Sequence, residues 1–118
     1  MNLDKVPKTL DECVEFIVLD MNSSDRDFVK NHTHGVLIQS LDLWIRVNWS
    51  ISDTETVLVK WFVETLGIVC TDDITATILE GVRAKLKGDN AFDAVKFVNK
   101  FKSFWMGQGI NPKTMGKL

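Results

Sequence analysis

Apolar side chains recur at three- and four-residue intervals along most of the chain, and polar start and stop signals bracket each run. Leu10, Cys13, Val14, Ile17 and Met21 fall on one face of a helix. Val6 precedes Pro7 and is held extended, outside that helix. Thr9 to Glu12 has capping-box spacing, in which the Thr9 hydroxyl accepts from the Glu12 amide and the Glu12 carboxylate reaches back. Asn22-Ser23-Ser24 closes this first helix and caps a short second one carrying Phe28 and Val29. Beyond Gly35 the run Val36, Leu37, Ile38, Leu41, Leu43, Trp44, Ile45, Val47, Trp49 is denser. It predicts a largely buried helix whose polar gaps, at Gln39, Ser40, Asp42, Arg46 and Asn48, form one narrow wet stripe.

Ser52-Asp53-Thr54-Glu55 repeats the capping-box spacing and introduces Val57, Leu58, Trp61, Phe62 and Leu66, with Gly67 placed for a left-handed C-terminal cap. Thr71-Asp72-Asp73 puts acids at a helix start, where the dipole favours them. Ile74, Ile78, Leu79, Val82 and Leu86 make that helix's face, Arg83, Lys85 and Lys87 decorate its last turns, and Gly88 stops it. Asp89 caps a final helix bearing Phe92, Val95, Val98, Phe101, Phe104 and Trp105. Gly107-Gln108-Gly109 ends it, and Asn111-Pro112 keeps the tail from rejoining it. The expected fold is all-α: a single small domain of five to six helices packed as an irregular bundle over residues 1–106. Within it the C-terminal helix spans about 89–106, and 107–118 form a tail.

Composition narrows the setting. At 118 residues, 45% hydrophobic and 25% charged, the chain suits one self-supporting domain. No apolar run approaches the roughly 18 residues of a membrane span, and the N-terminus lacks a signal peptide's basic-then-apolar pattern. Cys13 and Cys70 sit in apolar stretches and read as buried thiols in a cytoplasmic protein. A net charge of −2 argues against nucleic-acid binding over the whole surface.

Several separated segments together carry a family resemblance. Pro7-Lys8-Thr9-Leu10-Asp11-Glu12 opens the chain, Trp44-Ile45-Arg46-Val47-Asn48-Trp49 stands in the middle, and Asp72-Asp73-Ile74-Thr75 precedes Ile78-Leu79 and Lys85-Leu86-Lys87. In order and spacing they resemble a family of small bacterial and phage proteins catalogued as a domain of unknown function. The similarity covers about residues 6–88. The chain departs from the pattern after Arg46, where Val47 replaces the family's asparagine. The resemblance implies a fold, and a phage or mobile-element origin.

Candidate chemistry is sparse. His32-Thr33-His34 is the only histidine pair, and with no cysteine nearby it reads as a surface turn; no metal or cofactor is expected. Arg46, amid Trp44, Ile45, Val47 and Trp49, reads as a charge that needs a partner on a neighbouring helix. Asp11, Glu12, Asp72 and Asp73 are the candidates. Its alternative role is an anion site beside Trp49, using the planar guanidinium. Asp72 and Asp73 read as helix caps, and as paired carboxylates only if the chain were an enzyme.

Charge is uneven: residues 1–88 hold 9 basic and 14 acidic side chains, a net of −5, whereas residues 89–118 hold 5 lysines and 2 aspartates, a net of +3. In the basic end Lys96, Lys100 and Lys102 interleave with Phe97, Phe101, Phe104 and Trp105, the four aromatics sharing one helix face. The aromatics are expected to be mostly core and the lysines a solvated rim. Phosphate loops, Walker-type lysines and His-Glu metal helices are absent from the sequence. The expectation is a non-enzymatic, protein-binding adaptor or inhibitor, aimed at a host defence or regulatory protein. Its interaction candidates are Arg46, Trp49, Lys96, Lys100, Phe101, Lys102 and Trp105. The alternative is a nucleic-acid-associated regulator using the basic C-terminal helix.

Overall fold

Helices form where apolar spacing and caps agree, and shift where the caps have competitors. The computed structural model describes residues 6–118; the first five residues of the domain drawn at 1–106, and with them the leader-free reading of the N-terminus, lie outside the described residues. Helix α1 spans Leu10–Asp20, and Thr9 Oγ1 accepts from the Glu12 amide at 3.2 Å. The Glu12 carboxylate reaches back one residue further than the capping box requires, to the Lys8 amide at 3.3 Å. Helix α2 spans Ser23–Asn31, and Asn22 Oδ1 accepts from the Asp25 amide at 2.8 Å. Helix α3 spans Val36–Asn48, α5 Thr71–Leu86 and α6 Ala94–Gly107. Among the described residues the protein is an all-α domain of six helices, and the sole β pairing is an isolated bridge between Ile110 and Lys117.

Two start signals move. Ser52 caps nothing: the Asp53 carboxylate turns onto the Glu55 amide at 2.9 Å, and Thr56 caps α4 (Val57–Trp61) by accepting from Val59 N at 3.2 Å. Aspartate's short side chain favours such local turns and outcompetes the box. The ladder then widens into a π turn, Phe62–Leu66, closed by Gly67 at φ 75° with its amide on Phe62 O at 2.9 Å. At the last helix Asp89 is likewise spent on a turn, to Ala91 N, and Asp93 caps α6 through Lys96 N at 3.2 Å. Phe92 therefore precedes the helix. At α5 the capping position is Cys70, which makes no side-chain cap, so Asp72 and Asp73 are free to bond elsewhere.

Helix α5 is the centre, packed against α1, α2, α3 and α6. Ile74, Ile78 and Val82 are fully buried, and so are the flanking Thr75, Thr77 and Gly81. Gly81 lets α1 approach closely: a Cβ there would lie 2.8 Å from Val14 Cγ2. Arg83, expected on a solvated last turn, is buried. Its Nε donates to Val29 O at 3.2 Å, one Nη to His32 O at 3.0 Å and the other to Glu80 at 2.6 Å. It thereby satisfies the open carbonyls at the end of α2.

Helix α3 corrects the expectation of near-complete burial. Only Ile38 and Ile45 are buried in it, followed by Trp49 at its cap. The chain after α6 folds back, with Val69 N on Pro112 O at 3.0 Å and Leu118 N on Gly109 O at 3.0 Å. Pro112 is buried there.

Replacing Arg83 with methionine keeps the stem's volume but strands the Val29 carbonyl. Arg83→Met should lose about 2–3 kcal/mol in urea unfolding. A loss below about 0.5 kcal/mol would place Arg83 among ordinary surface charges.

Candidate functional site

Arg46 lies in the last turn of α3, about one-third exposed, with acids on two helices. Nε donates to Asp42 Oδ1 at 2.5 Å and Nη2 to Asp72 Oδ1 at 2.7 Å. Asp72 is the neighbouring-helix partner that the sequence expected; Asp11, Glu12 and Asp73 are not engaged. Asp42, one turn back on the same helix, was missed, although acid and base four residues apart is a readable signal. Two carboxylates around one guanidinium leave the cluster net negative, which repels an added anion. Trp49 offers no wall for such a site either: it is buried, edge-on to Phe16 at 5.8 Å and to Trp44 at 5.3 Å. The Arg46–Trp49 anion site is therefore replaced by an ion-pair clasp between α3 and α5. Exposed as it is, that clasp contributes about 1 kcal/mol or less.

Opposite the buried Ile38 and Ile45, α3 turns a second apolar row outward. Val36 is 79% exposed, Leu43 63% and Val47 66%. Ser40 completes the row, since positions 36, 40, 43 and 47 fall within one turn-aligned stripe. No charged side chain stands in it.

On α6 the arrangement is mixed. Val98 is its buried anchor, Phe97, Phe101 and Trp105 are half-buried, and Phe104 is 57% exposed. The expectation of mostly core aromatics fails at Phe104, which lies on the helix flank beside Lys96 and Lys100. The Lys100 ammonium sits 4.0 Å from the Phe97 ring centroid and 5.0 Å from that of Phe101. Lys102 is not rim: it lies half-buried across Gly67, its Nζ 3.1 Å from where a Cβ would be. Trp105 donates its indole N–H to Asp73 Oδ2 at 2.8 Å.

The remaining candidates are structural. His32 follows α2, stacks on Phe28 at 4.2 Å and meets the Phe28 carbonyl through Nδ1 at 3.0 Å. Cys13 is buried, and burial pushes its thiol well above the usual range, against nucleophilic use. No group of three metal-binding side chains assembles among the described residues.

A family model described as "Domain of unknown function (DUF6794)" matches residues 6–86. The chain belongs to this family. No curated protein and no solved structure matches it. The family stretch holds the Arg46 clasp and the outward row of α3, whereas α6 and the folded-back end lie beyond it. The Asp73–Trp105 hydrogen bond therefore ties the DUF6794 portion to the helix that follows it.

Burial raises the Asp73 carboxyl above the ordinary aspartate range, and the nearby Asp72 adds to this; the Trp105 indole and the Cys70 thiol pull it back down. A carboxyl raised on folding stabilises the fold fully only below its unfolded value of about 3.9, and that stability is lost as pH rises through the folded value. Asp73→Asn keeps an acceptor for Trp105 and removes the titration. Urea midpoints should show the variant gaining on the parent as pH rises above about 4, then levelling off. Parallel pH profiles would show that Asp73 does not titrate differently in the folded state.

Proposed function

We propose that the protein is a non-enzymatic binding module, an adaptor or inhibitor that takes hold of another protein through the outward face of α3. The observation that carries this reading is the Val36, Leu43, Val47 row, exposed on the side of α3 opposite its core face. A helix that is apolar on both faces is normally covered on both, and exposed apolar rows mark interaction sites. Aliphatic side chains spaced along one helix face fit a partner's hydrophobic groove. The two free thiols support a cytoplasmic setting, and no described helix is long and apolar enough to cross a membrane. A host defence or regulatory protein, the class suggested by the family resemblance, is the first kind of partner to screen.

The nucleic-acid alternative rests on the basic end of the chain. Against it, Lys100 already covers the ring faces of Phe97 and Phe101 on which bases would stack. Labelled single strands should not be retained; binding that falls steeply between about 50 and 200 mM salt would establish the alternative instead.

Leu43→Asp with Val47→Asp should leave the unfolding free energy within about 0.5 kcal/mol of the parent, since both side chains face solvent. The same variant should lose the stoichiometric protein recovered by cross-linking and affinity capture with the parent chain. Retention of that partner by the folded variant would remove α3 as the binding face.

A further inference from the structure

We infer that the open groove between α1 and α5 is part of a self-association surface, in which the acidic outer ridge of α1 in one copy meets the lysine-bearing flank of α6 in a second copy across a two-fold axis. The surface is distinct from the outward face of α3, so this inference stands whether or not α3 binds a partner.

The groove holds about 610 Å³ between α1 and α5, with Val14, Val18 and Gly81 along it and Phe92 at its edge. Leu19, on its outer lip, is 73% exposed. Phe92 also meets Phe97 across 6.0 Å, so the groove runs directly into the flank of α6 where Lys100 lies over Phe97. Acidic and basic rows thus adjoin one apolar depression.

The two rows correspond. On α1, Glu12, Glu15 and Leu19 share the outward ridge; on α6, Lys96, Lys100 and Phe104 share the flank. Each reads as two like charges followed by one exposed apolar side chain. At about 1.5 Å per residue they run about 10 and 12 Å, so laid in the same direction they pair Glu12 with Lys96, Glu15 with Lys100 and Leu19 with Phe104.

Charge complementarity identifies the occupant. Arg46, Lys60 and Arg83 all have acidic partners within the chain, whereas Asp11, Glu12, Glu15, Lys96 and Lys100 form no ion pair with any described residue. Lys85 is the one cation among the groove's lining residues, outnumbered by Asp11, Glu15 and Asp89. Among the described residues, then, an acidic row and a basic row each lack an ion-pair partner, and a second copy supplies the complement of both. A two-fold engages both rows at once, the self-complementarity that an isologous dimer requires. It also doubles the contact of a single helix face, towards the roughly 800 Å² per partner that stable interfaces bury.

The test is sedimentation velocity on the full chain at about 50 and 500 mM salt. A dimer is expected at low salt, with affinity falling at least about tenfold at high salt. Glu15→Lys alone and Lys100→Glu alone should each be folded by circular dichroism and monomeric. Mixed one to one they should form a heterodimer, because both contacts are then again between opposite charges. A parent chain that stays monomeric throughout overturns the proposal, as does a mixture that fails to associate. A dimer that survives both reversals but is lost in Leu43→Asp overturns it too, and hands α3 to the second copy; that last variant separates the two surfaces.

Discussion

A helix buried along most of its length must settle most of its polar groups without water, and α5 meets this demand in a way that orders the whole molecule. Unpaired buried polar groups cost about 1–3 kcal/mol each, so every such side chain on α5 needs an assigned partner. Thr75 and Thr77 bond back to carbonyls one turn earlier, at 2.9 and 2.7 Å. The others reach outward, and each fastens a different neighbour. Arg83 takes the end of α2 and Asp73 takes Trp105 on α6, while the exposed Asp72 adds the ion pair to Arg46 on α3. Towards α1 the close approach is made at Gly81, where the missing side chain leaves room for Val14. No buried side-chain nitrogen or oxygen among the described residues is left without a partner. The apolar core supplies most of the stability, while these four contacts select which packing of the surrounding helices is adopted.

What the sequence made legible follows from which signals are local. Thr9, Asn22 and Gly67 act on backbone groups within a few residues, and each sits where its local chemistry puts it. Ser52 and Asp89 looked equally good and are not caps, because the choice between a turn and a cap is decided by a neighbouring side chain that spacing does not rank. The arginines show the limit more sharply. Arg46 stood among apolar residues and reads as buried, yet it lies one-third exposed on a helix whose outer row is uncovered. Arg83 stood among lysines near a helix end and reads as solvated, yet two of its three partners are more than fifty residues earlier in the chain. Periodicity tells which positions are apolar and nothing about which are covered.

The same limit governs the candidate surfaces. Val36, Leu43 and Val47 are hydrophobic and helically spaced, as are Ile38 and Ile45, and the sequence treats the two rows alike. Only the placement of α5 on one side of α3 divides them into core and exposed face. On α6 the sequence grouped Phe97, Phe101, Phe104 and Trp105 correctly on one broad arc, but Val98 sets its centre. Phe104 therefore falls at the margin with the lysines. Lys102 was grouped with them, yet it packs across Gly67.

The two surfaces differ in kind, and that difference lets them coexist. The outer row of α3 carries no charge, so a contact there gains from buried apolar area and is little altered by salt. The α1 and α6 rows are charged and exposed, so a contact there is steered by opposite fields and weakened as ions screen it. A dimer built on α1 and α6 leaves both copies of α3 open. Two apolar rows held at a fixed separation bind a partner with repeated or symmetric sites at a high effective concentration, raising avidity without any new contact. Self-association would then set the strength of partner binding, and ionic strength would act on that binding through the dimer rather than at the partner interface itself.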